Sequence, residues 1–307
     1  MYGKKNFYYY LKQNKTLLFM ISPAVLFFLA MSYLPMGGII VAFKDFKYDQ
    51  GILGSPWSGI DNFKFLFISG TVFRVIRNTF LYNLAFIVTG AICQIGIAVL
   101  LSEIKSKFYS RLTQSLMFLP YFISWVIVGA FFYNIFNYDY GLFNTTLRSI
   151  GLESVDVYST PGYWKYILVF FNNWKWIGYG SILYLGAIMN IDNEMYEAAD
   201  IDGANIFQRI SHITIPCLTP TIIIMVLLQV GTMFKGDLSM FYQLVGTNGL
   251  LFRATDVIDT YVFRALTQMQ DLTMSSAAAF IQSILNFVTI FAVNAFVRNI
   301  SRDNSLF

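Results

Sequence analysis

Residues 17–43, LLFMISPAVLFFLAMSYLPMGGIIVAF, run for 27 positions without one Asp, Glu, Lys or Arg. A helix needs ~20 mostly apolar residues to cross a bilayer, whereas the core helices of soluble proteins are shorter and amphipathic. The run is too long for the apolar region of a signal peptide and has no small-residue cleavage pattern, so it reads as a retained span. Pro23 and Pro35 are expected to kink it or end its regular part, which a bilayer tolerates if neighbours satisfy the freed carbonyls. The rest of the chain has the same character. It is 56% hydrophobic and 12% charged, about half the ~25% charge of soluble domains.

Five further apolar stretches are predicted to span: about 78–101, 115–136, 166–189, 216–234 and 276–297. The fold class is therefore all-α, a polytopic membrane protein with six transmembrane helices in one domain, 17–298. It is flanked by short segments at 1–16 and 299–307. An even number of spans puts both termini on one side. Lys4, Lys5, Lys12 and Lys15 precede the first span, and Lys105, Lys107 and Arg111 crowd the short second loop. By the positive-inside rule these sides are cytoplasmic, and residues 190–215 then face the cytoplasm. The stretches 62–80 and 255–269 place apolar residues on one face, as interfacial helices or packed loop helices do. Cys93 and Cys217 lie in or beside apolar segments and are expected to be buried thiols. A net charge of +4, dispersed along the chain, gives no nucleic-acid signal.

The one strongly polar passage is EMYEAADIDGANIFQRISHITIPCLTP, which follows Asp192. Five carboxylates fall between Asp192 and Asp202. Asp192 suits a helix N-cap, Ala198 and Ala199 favour helix, Gly203 supplies a turn, and Pro216 stands where a span can open. A helix–turn–helix on the membrane face follows. Ala198, Ala199, Gly203 and Ala204 give it a small flat surface, Met195, Ile201, Ile206 and Phe207 surround that surface, and Glu197 leaves a free carboxylate. His212, the one histidine, has no partner at catalytic spacing and reads as a loop residue.

This passage resembles the EAA loop of membrane subunits in bacterial ABC importers, through Glu197, Ala198, Ala199, Asp202, Gly203, Ala204, Ile213, Thr214, Pro216, Leu218 and Pro220 in order and spacing. Residues 33–67 and 256–287 are similar to the first outer segment and last span of the carbohydrate branch, the oligo- and polysaccharide permeases. The resemblance implies a type I importer subunit in the bacterial cell membrane, with cytoplasmic termini, that pairs with a second permease as a heterodimer. A cytoplasmic ATPase dimer would receive the loop, with Glu197 pairing a basic ATPase residue, and an extracytoplasmic solute-binding protein would deliver an oligosaccharide. ATP and Mg would be bound by the ATPase subunits and no cofactor by this chain. Indeed Lys235-Gly236 lacks the context of a phosphate-cradling loop.

Sugars need hydrogen-bonding groups and aromatic faces, and polar groups inside a bilayer tend to face a bundle interior. Asn172, Trp176 and Tyr179 stand at i, i+4 and i+7, on one face of the fourth span. With a start near residue 166, Tyr179 lies ~20 Å along the helix, past the middle of a ~30 Å core. Gln229 and Met233 share a face at similar depth in the fifth span, and Gln282 and Asn286 are weaker candidates in the sixth. The alternative for the fourth span is an interfacial aromatic belt with Lys175 snorkelling outward, and Lys175 is a weaker lining candidate than Asn172 and Tyr179. The principal alternative is a secondary transporter or channel for a small polar solute. It would need intramembrane carboxylates and usually an inverted repeat, and neither is visible.

Overall fold

The computed structural model describes residues 13–300, apart from the side chains of residues 296, 299 and 300. The segment 1–16 and the tail 299–307 therefore lie largely outside the described residues. The described chain is helical, with one isolated bridge between Lys44 and Trp57. Its longer helices are α1 (Lys15–Phe28), α2 (Asp61–Ile68), α3 (Thr71–Ser102), α4 (Lys107–Phe122), α5 (Trp125–Phe136) and α6 (Leu142–Ser149). Next come α7 (Pro161–Ile188), α8 (Asn193–Ile201), α9 (Ile206–Arg209), α10 (Ile215–Val230), α11 (Leu238–Val245), α12 (Ile258–Thr267) and α13 (Leu272–Ile300).

By length and composition four spans qualify: Lys15–Phe43, Thr71–Ser102, Ile206–Val230 and Leu272–Ala295. The pair α4 and α5 makes a fifth if counted as one, but it bends by 90° at the break. The predicted span 115–136 is thus two half-helices. The break falls at Ile123 and Ser124, whose extended backbone ends α4, and the Ser124 side chain caps the start of α5 by accepting the Ile127 N–H at 3.4 Å. α7 is 28 residues long, ~42 Å by helical rise, yet too polar to qualify by hydropathy.

Other boundaries moved for physical reasons. The first run keeps α-helical geometry through Pro23, then turns into a π-turn at Leu29–Tyr33 and a 3₁₀ segment at Leu34–Phe43, the irregularity that Pro35 demands. No residue of α1 is buried. The stretch 62–80 is not one interfacial helix. Gly70, at φ 68°, ends α2, and residues 71–80 form the start of α3. α12 packs on α3 and α13 through Ile258, Tyr261 and Ala265, so it is a packed loop helix. The fifth span begins well before Pro216. A π-turn at Ile210–Thr214 links α9 to α10 and widens the helix where the Pro216 ring needs space. Cys93 and Cys217 are free and exposed on the chain's own surface rather than buried.

Three apolar cores hold the bundle. One joins Trp125, Phe132, Trp164, Leu168 and Phe241. A second joins Leu66, Val75, Ile258 and Ala277. The third, built from Ala98, Leu101, Tyr184, Ile188 and Leu218, lies at the end carrying residues 190–214. Glycines let α7 approach its neighbours closely. A Cβ at Gly178 would collide with the backbone of Met117 in α4, and one at Gly180 with the Gln94 side chain of α3.

Candidate functional site

The polar passage folds as a rigid knob. Asp192 caps α8 by accepting the Glu194 N–H at 3.0 Å. At the other end Gly203 has φ 77°, and the N–H groups of Gly203 and Ala204 reach the carbonyls of Asp200 and Ala199 at 3.1 and 2.9 Å. This paired closure needs a left-handed residue, and glycine adopts that conformation without strain. α9 starts with a capping box in which Asn205 and Gln208 exchange bonds of 3.0 and 2.7 Å. Arg209 then ties the two helices together through both oxygens of Asp200, at 2.8 and 3.1 Å, and reaches Glu103 beyond α3 at 3.5 Å. Tyr196 bonds Thr214 at 3.0 Å.

The knob presents apolar groups outward. Ile201 is 86% exposed and Phe207 79% exposed, with Met195 and Ile206 beside them. Glu197, Ala198, Asp202 and Gly203 are exposed, and Ala199 and Ala204 are half-covered. His212 bonds Ser211 and the Gln208 carbonyl within the π-turn.

A second constellation lies around the α4–α5 break. The Tyr179 and Tyr121 rings stack at 5.0 Å and 14°, and Trp176 meets Tyr121 edge-on at 5.4 Å. Phe118 continues the stack at 6.3 Å from Tyr179. Trp176 and Tyr179 stay more than a third exposed, so the platform has an open face. Asn172, one turn earlier, is half-buried. Because α7 begins at Pro161, Tyr179 lies 18 residues into it, ~27 Å by rise, closer to the knob end than the sequence suggested. Sequence reading missed Tyr121 and Phe118. Both fall in the predicted third span, and the close packing of α4 on α7 at Gly178 brings them to Tyr179.

Lys175 does not snorkel. It is 8% exposed, donates to the carbonyls of Pro120, Tyr121 and Ile123, and lies 5.0 Å over the Trp125 ring. The Trp125 Nε1–H donates to Asp237 at 2.8 Å, and Asp237 caps α11. Asn173 binds Thr89 at 2.8 Å, fastening α7 to α3.

Gln229 and Met233 are not part of this platform. Gln229 is half-buried near the end of α10, and Met233, 7% exposed, sits in the unwound turn after it. Gln282 and Asn286 serve that turn. Gln282 donates to the Phe234 carbonyl at 2.8 Å, and Asn286 accepts the Phe234 N–H at 3.0 Å. Asp259 joins them by accepting from Gly236 N–H and from Gln282. Burial raises its carboxyl pKa, with both hydrogen bonds pulling the other way.

The sequence matches the family described as "Binding-protein-dependent transport system inner membrane component" over residues 87–302. The chain belongs to this family. As an inner membrane component it is a multi-pass permease subunit. The permease is 32% identical to Protein LplB of Bacillus subtilis (strain 168), across 95% of this chain and 92% of the relative. It is 30% identical to the polygalacturonan/rhamnogalacturonan transport system permease protein YteP of the same organism, covering 95% and 90%. Among solved structures, it superposes on a chain of a bacterial ABC transporter involved in the import of the acidic polysaccharide alginate. That match has a TM-score of 0.87 at 31% identity, with 97% of this chain and 100% of the other covered. A second structure holds the bacterial alginate transporter in complex with alginate pentasaccharide-bound periplasmic protein, at TM-score 0.86 and 30% identity.

Proposed function

We propose that this permease forms, with a second permease, the membrane pathway of an ATP-driven importer for an oligosaccharide, and that residues 190–215 couple it to a cytoplasmic ATPase. The observation that carries the coupling reading is the knob. Ile201 and Phe207 stand almost fully exposed on a polar loop that two caps, a glycine closure and the Asp200–Arg209 pair hold in one shape. Exposed apolar side chains on a preorganised scaffold lose little entropy on binding and suit a partner's cleft. Glu197 stands beside them for a basic partner residue. Motion of the ATPases would then rock the bundle between inward- and outward-facing states.

The substrate class is supported by the relatives, which are named for polygalacturonan/rhamnogalacturonan transport and alginate import, and by the open aromatic platform. Trp176, Tyr179 and Tyr121 offer flat faces to sugar C–H surfaces, and Asn172 offers a hydrogen-bonding group on the same side. The experiment is sugar-stimulated ATP hydrolysis in the reconstituted complex with its binding protein. Gly203→Pro changes φ from 77° to a value near −65° and should abolish the stimulation. Normal coupling in that variant would sink the coupling reading.

A further inference from the structure

We propose that Lys175 is a positioning residue: its ammonium caps the carbonyl end of α4 at the α4–α5 break and thereby sets the orientation of Tyr121 in the aromatic platform. The inference rests on the pathway reading above for its consequence in transport, but its structural half stands separately. A 90° break at the end of α4 leaves carbonyls without helical partners. Inside a membrane such groups must find protein partners, because no bulk water is there to take them. Lys175 answers two of them, those of Tyr121 and Ile123, and also reaches the Pro120 carbonyl at 3.5 Å, which already accepts the Ile123 N–H at 3.2 Å.

The arrangement also explains how a buried ammonium is tolerated. No ion pair within 4.0 Å involves Lys175 among the described residues. Its compensation comes from carbonyl dipoles, from the negative end of α4, from the face of Trp125 at 5.0 Å and from the charge of Asp237 behind that ring. Helix spacing does the rest. Lys175 and Tyr179 are four residues apart on α7 and share a face. One holds the Tyr121 backbone carbonyl and the other stacks on the Tyr121 ring at 5.0 Å. Gly178 lies between them, where its missing Cβ admits the α4 backbone. Tyr121 is thus gripped at both ends from one helix. The grip extends to α11, because Trp125 donates to the capping Asp237.

The test uses the full complex in proteoliposomes, on a C93S/C217S background, with spin labels at residues 119 and 126. Leu119 and Val126 are exposed and flank the break. Their distance distribution should be narrow with Lys175, broad in Lys175→Met, and narrow again in Lys175→Arg, which keeps a cation and N–H donors. Uptake of labelled oligogalacturonide and alginate pentasaccharides should be lost with the broadening and regained in Lys175→Arg. Tyr121→Ala should lose the same uptake, with Lys175→Met adding nothing further. Lys175→Gln, which keeps donors, stands in where the Met variant does not assemble. An unchanged distribution in Lys175→Met overturns the inference. So does failure of both the Met and Gln variants to assemble, which makes Lys175 a folding residue. Broadening with undiminished uptake, or normal uptake by Tyr121→Ala, overturns the platform reading while leaving the cap in place. Transport of neither probe by the wild type goes against the acidic members of the substrate class and leaves the cap to be judged by the labels.

Discussion

Glycines show how far single residues could be read. Gly203 was legible as a turn because EAAD ahead of it and ANIF behind it both favour helix, and the fold gives it φ 77°. Gly178 was not legible. Nothing in WIGYG separates it from Gly186, yet a Cβ at Gly178 strikes the α4 backbone while one at Gly186 meets nothing within 4 Å. Gly178→Ala should therefore lower the thermal midpoint and detergent yield, with a cost of ~1–3 kcal/mol for forced overpacking. Gly186→Ala should leave both unchanged. Similar changes in the two variants would contradict the packing described. Tyr179→Ala should impair sugar uptake while the complex still assembles, read by co-purification of its partners alongside transport. Lys175 was misread for a related reason. A lone lysine in an aromatic stretch looks like an interfacial anchor, and only the neighbouring helix break shows what it binds.

Helices obeyed the sequence where their ends carried chemical signals and departed from it where tertiary contacts intervened. Asp192 and Gly203 mark the ends of α8 in sequence and in structure, and the structure adds the Asn205 cap of α9. The 90° break after α4 falls at Ile123 and Ser124, and Pro120, like the prolines at residues 23 and 220, sits inside its helix. At the break the extended backbone of those two residues ends α4, and Lys175 takes the carbonyls of Tyr121 and Ile123. The turn after α10 follows the same logic. Asn286 and Gln282 satisfy Phe234 from α13, so Asn286→Leu leaves a buried N–H without a partner. A loss of ~1–3 kcal/mol is expected, measured as the thermal midpoint of the purified complex, and an unchanged midpoint would show that this contact does not hold the turn. At the knob, Asn205→Ala removes the capping box and should cost ~1 kcal/mol of local helix stability. Faster amide exchange in residues 205–209 would register it.

At the scale of the molecule, hydropathy identified a membrane protein and the EAA-like passage identified its family, because one depends on composition and the other on a contiguous string. The aromatic platform was only half legible. Trp176 and Tyr179 could be placed on one face from their spacing, whereas Tyr121 and Phe118 reach them through the packing of α4 on α7, which the sequence does not show. Gln229 and Met233 lie apart from this platform, Gln229 near the end of α10 and Met233 in the turn that follows Gly231. On the proposed function, the exposed apolar knob transmits ATPase motion to this bundle. The most direct test is Phe207→Asp in the reconstituted complex, read by binding-protein-stimulated ATP hydrolysis together with ATPase co-purification. The account predicts a permease that still inserts in the membrane but loses both stimulated hydrolysis and the bound ATPase. Wild-type stimulation with the ATPase retained would contradict it.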